Sequence, residues 1–430
     1  MMELQHAGKG AATPQPTTAH RTDDTDGDGG GYPDGGFHAW SVVLGAWCAM
    51  FPSMGLLNTL AVLEAYLGMH QLREVPRTQS AWIFSCYAFF LYFCGAQVGP
   101  VFDAYNVRIV TVTGSVGMVA ALVFLSFSTE FYQILLSFGV LGGMSASLLF
   151  NPSLAAIGHW FAKRRAFATG VACTAGGIGG IVFPLVILYL APTVGFPWAM
   201  RVIALLCAVV LAVACTTLRK RLPDNKRAGA AIDLVALRDA KFAATTLAIF
   251  LVEFAVFIPY TYISSYALHA GMSPQRAYLL NALLNAGAVP GRVLPGYVAD
   301  RFGVFNTMCA TSSTCAVFIL ALWYTAGGDE AAVTAFAVIF GFWSGAAISL
   351  TPVCVGQVCR VEDLGKRSGT AFFAASFGTL VGVPAAAAVL ERDGGEYGGL
   401  IVFGGAFYLS AFAAFLLARG VAGGWTWRRF

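Results

Sequence analysis

One arginine, Arg292, stands inside an otherwise apolar, glycine-rich run, NALLNAGAVPGRVLPGYVADRFG over residues 281–303. If the run is helical, a rise of about 1.5 Å per residue puts it roughly 12 Å from the polar helix end at Asp300-Arg301. In hydrocarbon about 30 Å thick, a guanidinium at that depth costs several kcal/mol unless a wet cavity or a partner receives it. Two roles follow: holding an anionic or polar solute group, or bonding backbone carbonyls as a structural cation. Glu253 lies twelve residues into the preceding apolar run, roughly 18 Å from its start at Lys241. Burial among apolar side chains favours a neutral carboxyl unless an opposite charge compensates, which suits Glu253 to taking and releasing a proton. The two depths differ by about 6 Å, so a static Glu253–Arg292 ion pair is the competing reading.

Other polar and aromatic groups share these runs. Asn58, Asn151, Asn281 and Asn285 are amides in apolar surroundings, where such groups bond across helices for about 0.6–2 kcal/mol. Asn285 precedes Arg292 by two helical turns and shares its face, which makes it, with Asn58, the better candidate for a solute contact. Tyr260 and Tyr262 follow Pro259, which is expected to disturb its helix and free carbonyls. Each offers a planar organic solute an aromatic body and a hydroxyl, or else anchors the chain at the membrane interface. Phe372 and Phe373 are placed to stack on an aromatic ligand or to pack. The sets Gly176-Gly177-x-Gly179-Gly180 and Gly139-x-x-Gly142-Gly143 permit close helix approach and are expected to act as hinges and packing faces. Ten cysteines are scattered singly, as small hydrophobes rather than a disulfide framework. No metal-ligand spacing, phosphate-binding loop or nucleophile motif stands out, so no enzyme chemistry and no cofactor are expected.

The elements that hold these groups follow from composition. Charged residues are 11% of the 430 and apolar residues 57%, with a mean hydropathy of +0.70. A soluble domain carries about 25% charged residues, so the chain reads as an all-α polytopic membrane protein. Twelve transmembrane helices are expected, at about 38–66, 78–101, 107–127, 131–157, 166–190, 197–218, 241–268, 274–298, 305–326, 331–358, 368–390 and 397–419. Residues 1–36 lack the basic start and apolar stretch of a signal peptide and read as a disordered cytosolic tail. Of the 26 Lys and Arg, twenty fall in the two tails and the even-to-odd loops and four in the other loops; Arg201 and Arg292 are the rest. That bias places both termini in the cytoplasm. The longest cytosolic loop, 219–240, separates six-helix halves at 37–218 and 241–419, with a tail at 420–430. The halves repeat. Gly99-x-x-x-Asp103 follows helix two and Gly296-x-x-x-Asp300 follows helix eight, while Lys163-Arg164-Arg165 precedes helix five and Lys366-Arg367 precedes helix eleven. Parallel six-helix repeats about a central cytosolic loop are the organisation of major facilitator transporters.

Three stretches narrow the resemblance. Pro33-Asp34-Gly35-Gly36-Phe37-His38-Ala39-Trp40 resembles the opening motif of the monocarboxylate transporter family. Trp160-Phe161-Ala162-Lys163-Arg164-Arg165-Ala166-Phe167-Ala168-Thr169-Gly170, with the glycine set that follows it, looks like that family's loop into helix five. Gly291-Arg292…Gly296…Asp300-Arg301 resembles its helix eight. The pattern looks most like the fungal branch, which is implied to include a riboflavin permease and exporters of organic acids or secondary metabolites. Two positions depart from the proton-coupled lactate carriers: their coupling lysine of helix one is Asn58 here, and the aspartate a turn before the arginine is Ala288. The resemblance assigns Asp103 and Asp300 to gating contacts between helices, with Arg165, Arg301, Arg367 and the positive N-terminus of helix eleven as surroundings. In the first copy the usual basic residue after Asp103 is Ala104.

The resulting expectation is a secondary active transporter, working by alternating access, for a small organic anion or amphipathic metabolite. Arg292, Asn58, Asn285, Tyr260, Tyr262 and Phe373 would bind the solute, and Glu253 would couple protons. Uptake of a carboxylate or of a vitamin such as riboflavin and export of a secondary metabolite both fit. A channel suits the matched halves less well, and a nutrient sensor would have only the tail and the central loop to signal through. The expected partners are the solute, protons and the lipid bilayer. The chain is expected to be a monomer in the plasma membrane and to bind no nucleic acid.

Overall fold

In lipid, backbone N–H and C=O groups must be satisfied within the chain, and apolar runs of 20–30 residues meet that demand as helices. The computed structural model describes residues 32–223 and 232–425. Parts of three expected segments lie outside the described residues: 1–31 of the N-terminal tail, 224–231 of the central loop and 426–430 of the C-terminal tail. The first half comprises α1 (Gly36–Leu57), α2 (Leu60–Met69), α3 (Arg77–Phe93), α4 (Gly95–Ala104), α5 (Val107–Leu125), α6 (Phe131–Ile134), α7 (Gly143–Trp160), α8 (Arg165–Val194) and α9 (Phe196–Thr217). A π-helical stretch, Leu135–Gly142, joins α6 to α7. The second half comprises α10 (Ala240–His269), α11 (Pro274–Phe302), α12 (Val304–Val317), α13 (Glu330–Gln357), α14 (Leu364–Arg392) and α15 (Tyr397–Gly423), with a second π stretch, Phe318–Trp323, after α12. Pairs such as α1–α2 and α3–α4 are single spans with a local interruption.

Among the described residues, eleven helical stretches are long and apolar enough to cross a membrane. The twelfth span is α11, which is 29 residues long. Its apolar character is diluted by the groups that make it interesting: Asn281, Asn285 and Arg292 all lie on it, and all three are buried inside the protein. The apolar surface that remains outside, including Ile109, Phe127 and Leu205, is the belt that lipid covers.

Local signals set the ends. The side chains of Asn106, Asp239 and Asp329 accept from the second backbone N–H of α5, α10 and α13, an N-cap worth about 1 kcal/mol. Gly303 adopts φ 99 between α11 and α12, a left-handed turn that favours glycine. Two expectations need correction. α10 runs through Pro259 without a break, because helices packed around a buried span stabilise it against the missing N–H. The first span, expected to be continuous over 38–66, pauses at Asn58-Thr59, where the Thr59 hydroxyl donates to Gly55 O at 2.7 Å. At the far end α15 extends to Gly423, past the expected start of the C-terminal tail.

Packing repeats between the halves. In the first, α1 packs on α8, α7 and α9, α5 on α9 and α7, and α3 on α7. In the second, α10 packs on α14, α13 and α15, α12 on α15 and α13, and α11 on α13. Substituting span for span, these are the same contacts. The halves meet along two seams related by the same repeat: α8 against α11, and α3–α4 against α14.

Candidate functional site

The glycines of α8 create the room in which the polar groups gather. Gly176 and Gly180 are one turn apart and so share a face. A Cβ on Gly176 would come 2.7 Å from Arg292 Nη1 and from the Met54 side chain. A Cβ on Gly180 would come 2.6 Å from Asn285 Oδ1 and 2.8 Å from Asn58 Cβ. Side chains from α1, the α1–α2 junction and α11 therefore converge on one turn of α8, and the glycine set does more than the hinge and packing role expected of it.

Each group there spends part of its bonding capacity on the scaffold. Arg292 is 0% exposed; its Nη1 donates to Cys173 O at 2.6 Å, while Nε and Nη2 have no partner. Asn58 Nδ2 donates to Gly176 O at 2.9 Å, and Asn285 Nδ2 donates to Asn281 O and Oδ1, both at 3.0 Å. The Oδ1 atoms of Asn58 and Asn285 are buried and unpartnered. Asn281 continues the chain by donating to Tyr260 O at 3.2 Å. The Tyr260 hydroxyl, 3.4 Å from Ser344 Oγ, is a near neighbour of the guanidinium.

Glu253, on α10, is 1% exposed, and neither carboxyl oxygen has a hydrogen-bond partner. Its neighbour is the Tyr92 hydroxyl from α3, close by but without a well-formed hydrogen bond. Tyr92 stacks on Phe372 of α14, ring centroids 5.3 Å apart. Among the described residues no ion pair joins Glu253 to Arg292, and neither carboxyl oxygen of Glu253 has a partner. Cation and acid are thus not directly bonded, and Tyr92 lies within electrostatic reach of both.

Toward the face that bears the basic loops, the two seams are latched alike. Asp300, ending α11, accepts from Ala166 N at 3.0 Å and Phe167 N at 2.9 Å at the start of α8. Asp103, ending α4, accepts from Gly365 N at 3.3 Å and Lys366 N at 2.7 Å at the start of α14. A carboxylate on free N–H groups at a helix N-terminus gains both hydrogen bonds and dipole attraction. Arg165 adds a crossing contact, with Nη1 donating to Gly356 O at 2.9 Å at the end of α13 and Nε to Phe161 O at 3.1 Å. Two surface cavities of about 630 and 620 Å³ open among charged residues, one beside Arg108 and Lys220 and the other beside Lys241, Arg360 and Arg367. Neither includes Arg292 or Glu253, and the candidate site is defined by its buried polar groups.

Several candidates stand apart. Tyr262 is half-buried and donates to Val383 O at 3.2 Å, away from the guanidinium that Tyr260 faces. Phe373 joins a ring cluster with Phe93 and Phe377, while its neighbour Phe372 faces Tyr92 and Phe150. On a helix, Phe372 and Phe373 point about 100° apart and Tyr260 and Tyr262 about 160° apart, so the members of each pair face different surroundings. Arg301 is exposed and lies over the Tyr297 ring at 4.3 Å. Arg367 does not cross between the halves; it pairs with Asp233 of the central loop at 3.4 Å and lies over the Phe242 ring. Asn151 bonds within its own helix, to Ser147. All ten cysteines are unpaired. Sequence reasoning missed Tyr92, whose signal was a hydroxyl in the middle of an aromatic run. It also missed Asp34, whose Oδ1 accepts from the N–H groups of Ala162, Lys163 and Arg164.

Two homologous six-helix halves, latched at one face over buried unpartnered polar groups, define a membrane transporter. The chain belongs to the Major Facilitator Superfamily, whose profile matches residues 42–383. It is 34% identical to the Fujikurins efflux protein of Gibberella fujikuroi, over 90% of this chain and 84% of that one. It is 31% identical to the Riboflavin transporter MCH5 of Saccharomyces cerevisiae, over 93% and 81%. The fold is shared with the crystal structure of the human organic anion transporter MFSD10, at a TM-score of 0.69 and 16% identity, covering 88% of this chain and 98% of that one.

Proposed function

We propose that this transporter is a secondary active carrier of a small organic anion, working by alternating access, with Arg292 as the anion-binding group. The observation that carries the reading is a fully buried guanidinium with two of its three nitrogens unpartnered. Such a cation in a membrane protein is costly unless a solute or a functional partner completes it. Glu253 is the proton carrier, because a buried carboxyl without partners has little to stabilise its charge. The likeness to monocarboxylate transporters is retained at the opening motif and at Arg292. Asn58 and Ala288 replace the lysine and aspartate of the lactate carriers, so coupling passes to Glu253 on a different helix. Loop charges put both termini in the cytoplasm, and the plasma membrane is the membrane of residence. Export of a metabolite is the second reading, favoured by the relative named as an efflux protein.

The test is accumulation in proteoliposomes of a panel of monocarboxylates, dicarboxylates, riboflavin and aromatic acids, with and without a pH gradient. Arg292→Ala should reduce uptake of the transported acid at least about tenfold, as expected for loss of a charge-assisted contact worth about 1.5–3 kcal/mol. Uptake untouched by that change would return Arg292 to a structural role. Glu253→Gln should leave downhill exchange intact and abolish accumulation driven by the gradient; accumulation that persists would remove the coupling role.

A further inference from the structure

The bonding pattern around Arg292 says more about the solute than its charge. Hydrogen-bond direction in this cluster is set by the ends already in use. Asn285 gives its amide nitrogen to Asn281, and Asn281 gives its own to the Tyr260 carbonyl. Asn58 gives its nitrogen to Gly176 O. Both amides are thereby oriented, since a flipped amide would set its oxygen against a carbonyl oxygen. The atoms left over in these side chains are two acceptors, Asn58 Oδ1 and Asn285 Oδ1, and two donors, Arg292 Nε and Nη2. Asn285 Oδ1 and Asn58 Cβ both lie within 3 Å of the point that a Gly180 Cβ would occupy, and Arg292 Nη1 lies equally near that of Gly176. All three side chains are at most 4% exposed. Buried polar atoms are satisfied by a partner in native structures, and here the missing partners are of complementary kinds.

We infer that the transported anion carries a hydrogen-bond donor, an N–H or O–H, next to its negative group. The anion meets Arg292 and the donor meets the oxygens of Asn58 and Asn285. This rests on the Arg292 reading above and narrows it, because a plain carboxylate satisfies the guanidinium and leaves two buried acceptors unmet. A site built to bond a solute N–H or O–H discriminates strongly against the analogue that lacks it.

The experiment extends the proteoliposome panel with acids matched in size. Pyrrole-2-carboxylate carries an N–H beside its carboxylate; N-methylpyrrole-2-carboxylate and furan-2-carboxylate do not. Indole-2-carboxylate and its N-methyl analogue form a larger pair. Uptake of the N–H acids should exceed that of their partners about tenfold or more in the wild type, a comparison that needs no variant to fold. Asn285→Leu and Asn58→Leu should each bring the ratio of N–H to N-methyl acid uptake toward one, a ratio that is read within each variant whatever its total uptake. Uptake that depends on Arg292 with no preference for the N–H acids would overturn this inference and leave the anion site standing. Uptake of no anion, or uptake indifferent to Arg292→Ala, would remove the anion reading and this inference with it.

Discussion

The two seams between the halves share a frame and differ in what they enclose. On the α8–α11 seam, Gly170 lies so close to the Arg292 carbonyl that a Cβ there would overlap it, and Gly296 sits against Ala166. On the α4–α14 seam, Gly99 and Gly369 are just as closely packed against Gly365 and Gly95. Each seam ends in a carboxylate on the N-terminus of the opposing helix. Deeper in, the likeness stops: the first seam holds a cation and two amides, and the other holds an acid, a tyrosine and a stacked phenylalanine. Close backbone packing and carboxylate caps thus recur where the halves must part and rejoin.

The most severe way to break this comparison is to fill the glycines. Gly170→Val and Gly369→Val place side chains into backbone, and overpacking of this kind costs about 1–3 kcal/mol or more. Both should hold the basic face open and abolish transport, read as labelling by a thiol reagent of a cysteine introduced beside Asp300 or Asp103. One seam closing normally in its variant would show that the seams do not act together. A smaller effect is expected from the latches. Asp300→Asn and Asp103→Asn each lose a charge-assisted cap and should favour the open face by about 1–2 kcal/mol, with nearly equal labelling if the latches are equivalent. The smallest effects sharpen the asymmetry. Arg165→Ala removes the bond to Gly356 in the other half and should shift closure by about 1 kcal/mol. Arg367→Ala removes a partly buried pair with the central loop and should change it by at most about 0.5 kcal/mol.

Much of the frame was legible in the sequence. Hydropathy located the spans to within a few residues, since a membrane helix must be both apolar and long. The repeated Gly-x-x-x-Asp also led to the latches, because it fell at corresponding helix ends. The site was legible only in part. Arg292, Asn58 and Asn285 stood out as polar groups in apolar runs, and they do come together. Phe373 and Tyr262 could not be separated from Phe372 and Tyr260, because facing is decided by helix rotation in the bundle and not by residue type. Arg301 resembled a gate residue by its motif, yet one further step around α11 carries it to the surface. The role of Gly176 and Gly180 depended on which neighbours would face them, which spacing within one helix does not encode.

Asp34 has a consequence for how the chain is made. It adopts φ 43, an uncommon conformation for a residue with a side chain, and holds three amides that follow 128 to 130 residues later. Synthesis runs from the N-terminus, so Asp34 waits at the membrane surface until four spans have been produced. Only when the turn after α7 emerges does the first span acquire its final tether, and by then Arg165, the next residue in line, is ready to reach for a half that has not yet been translated.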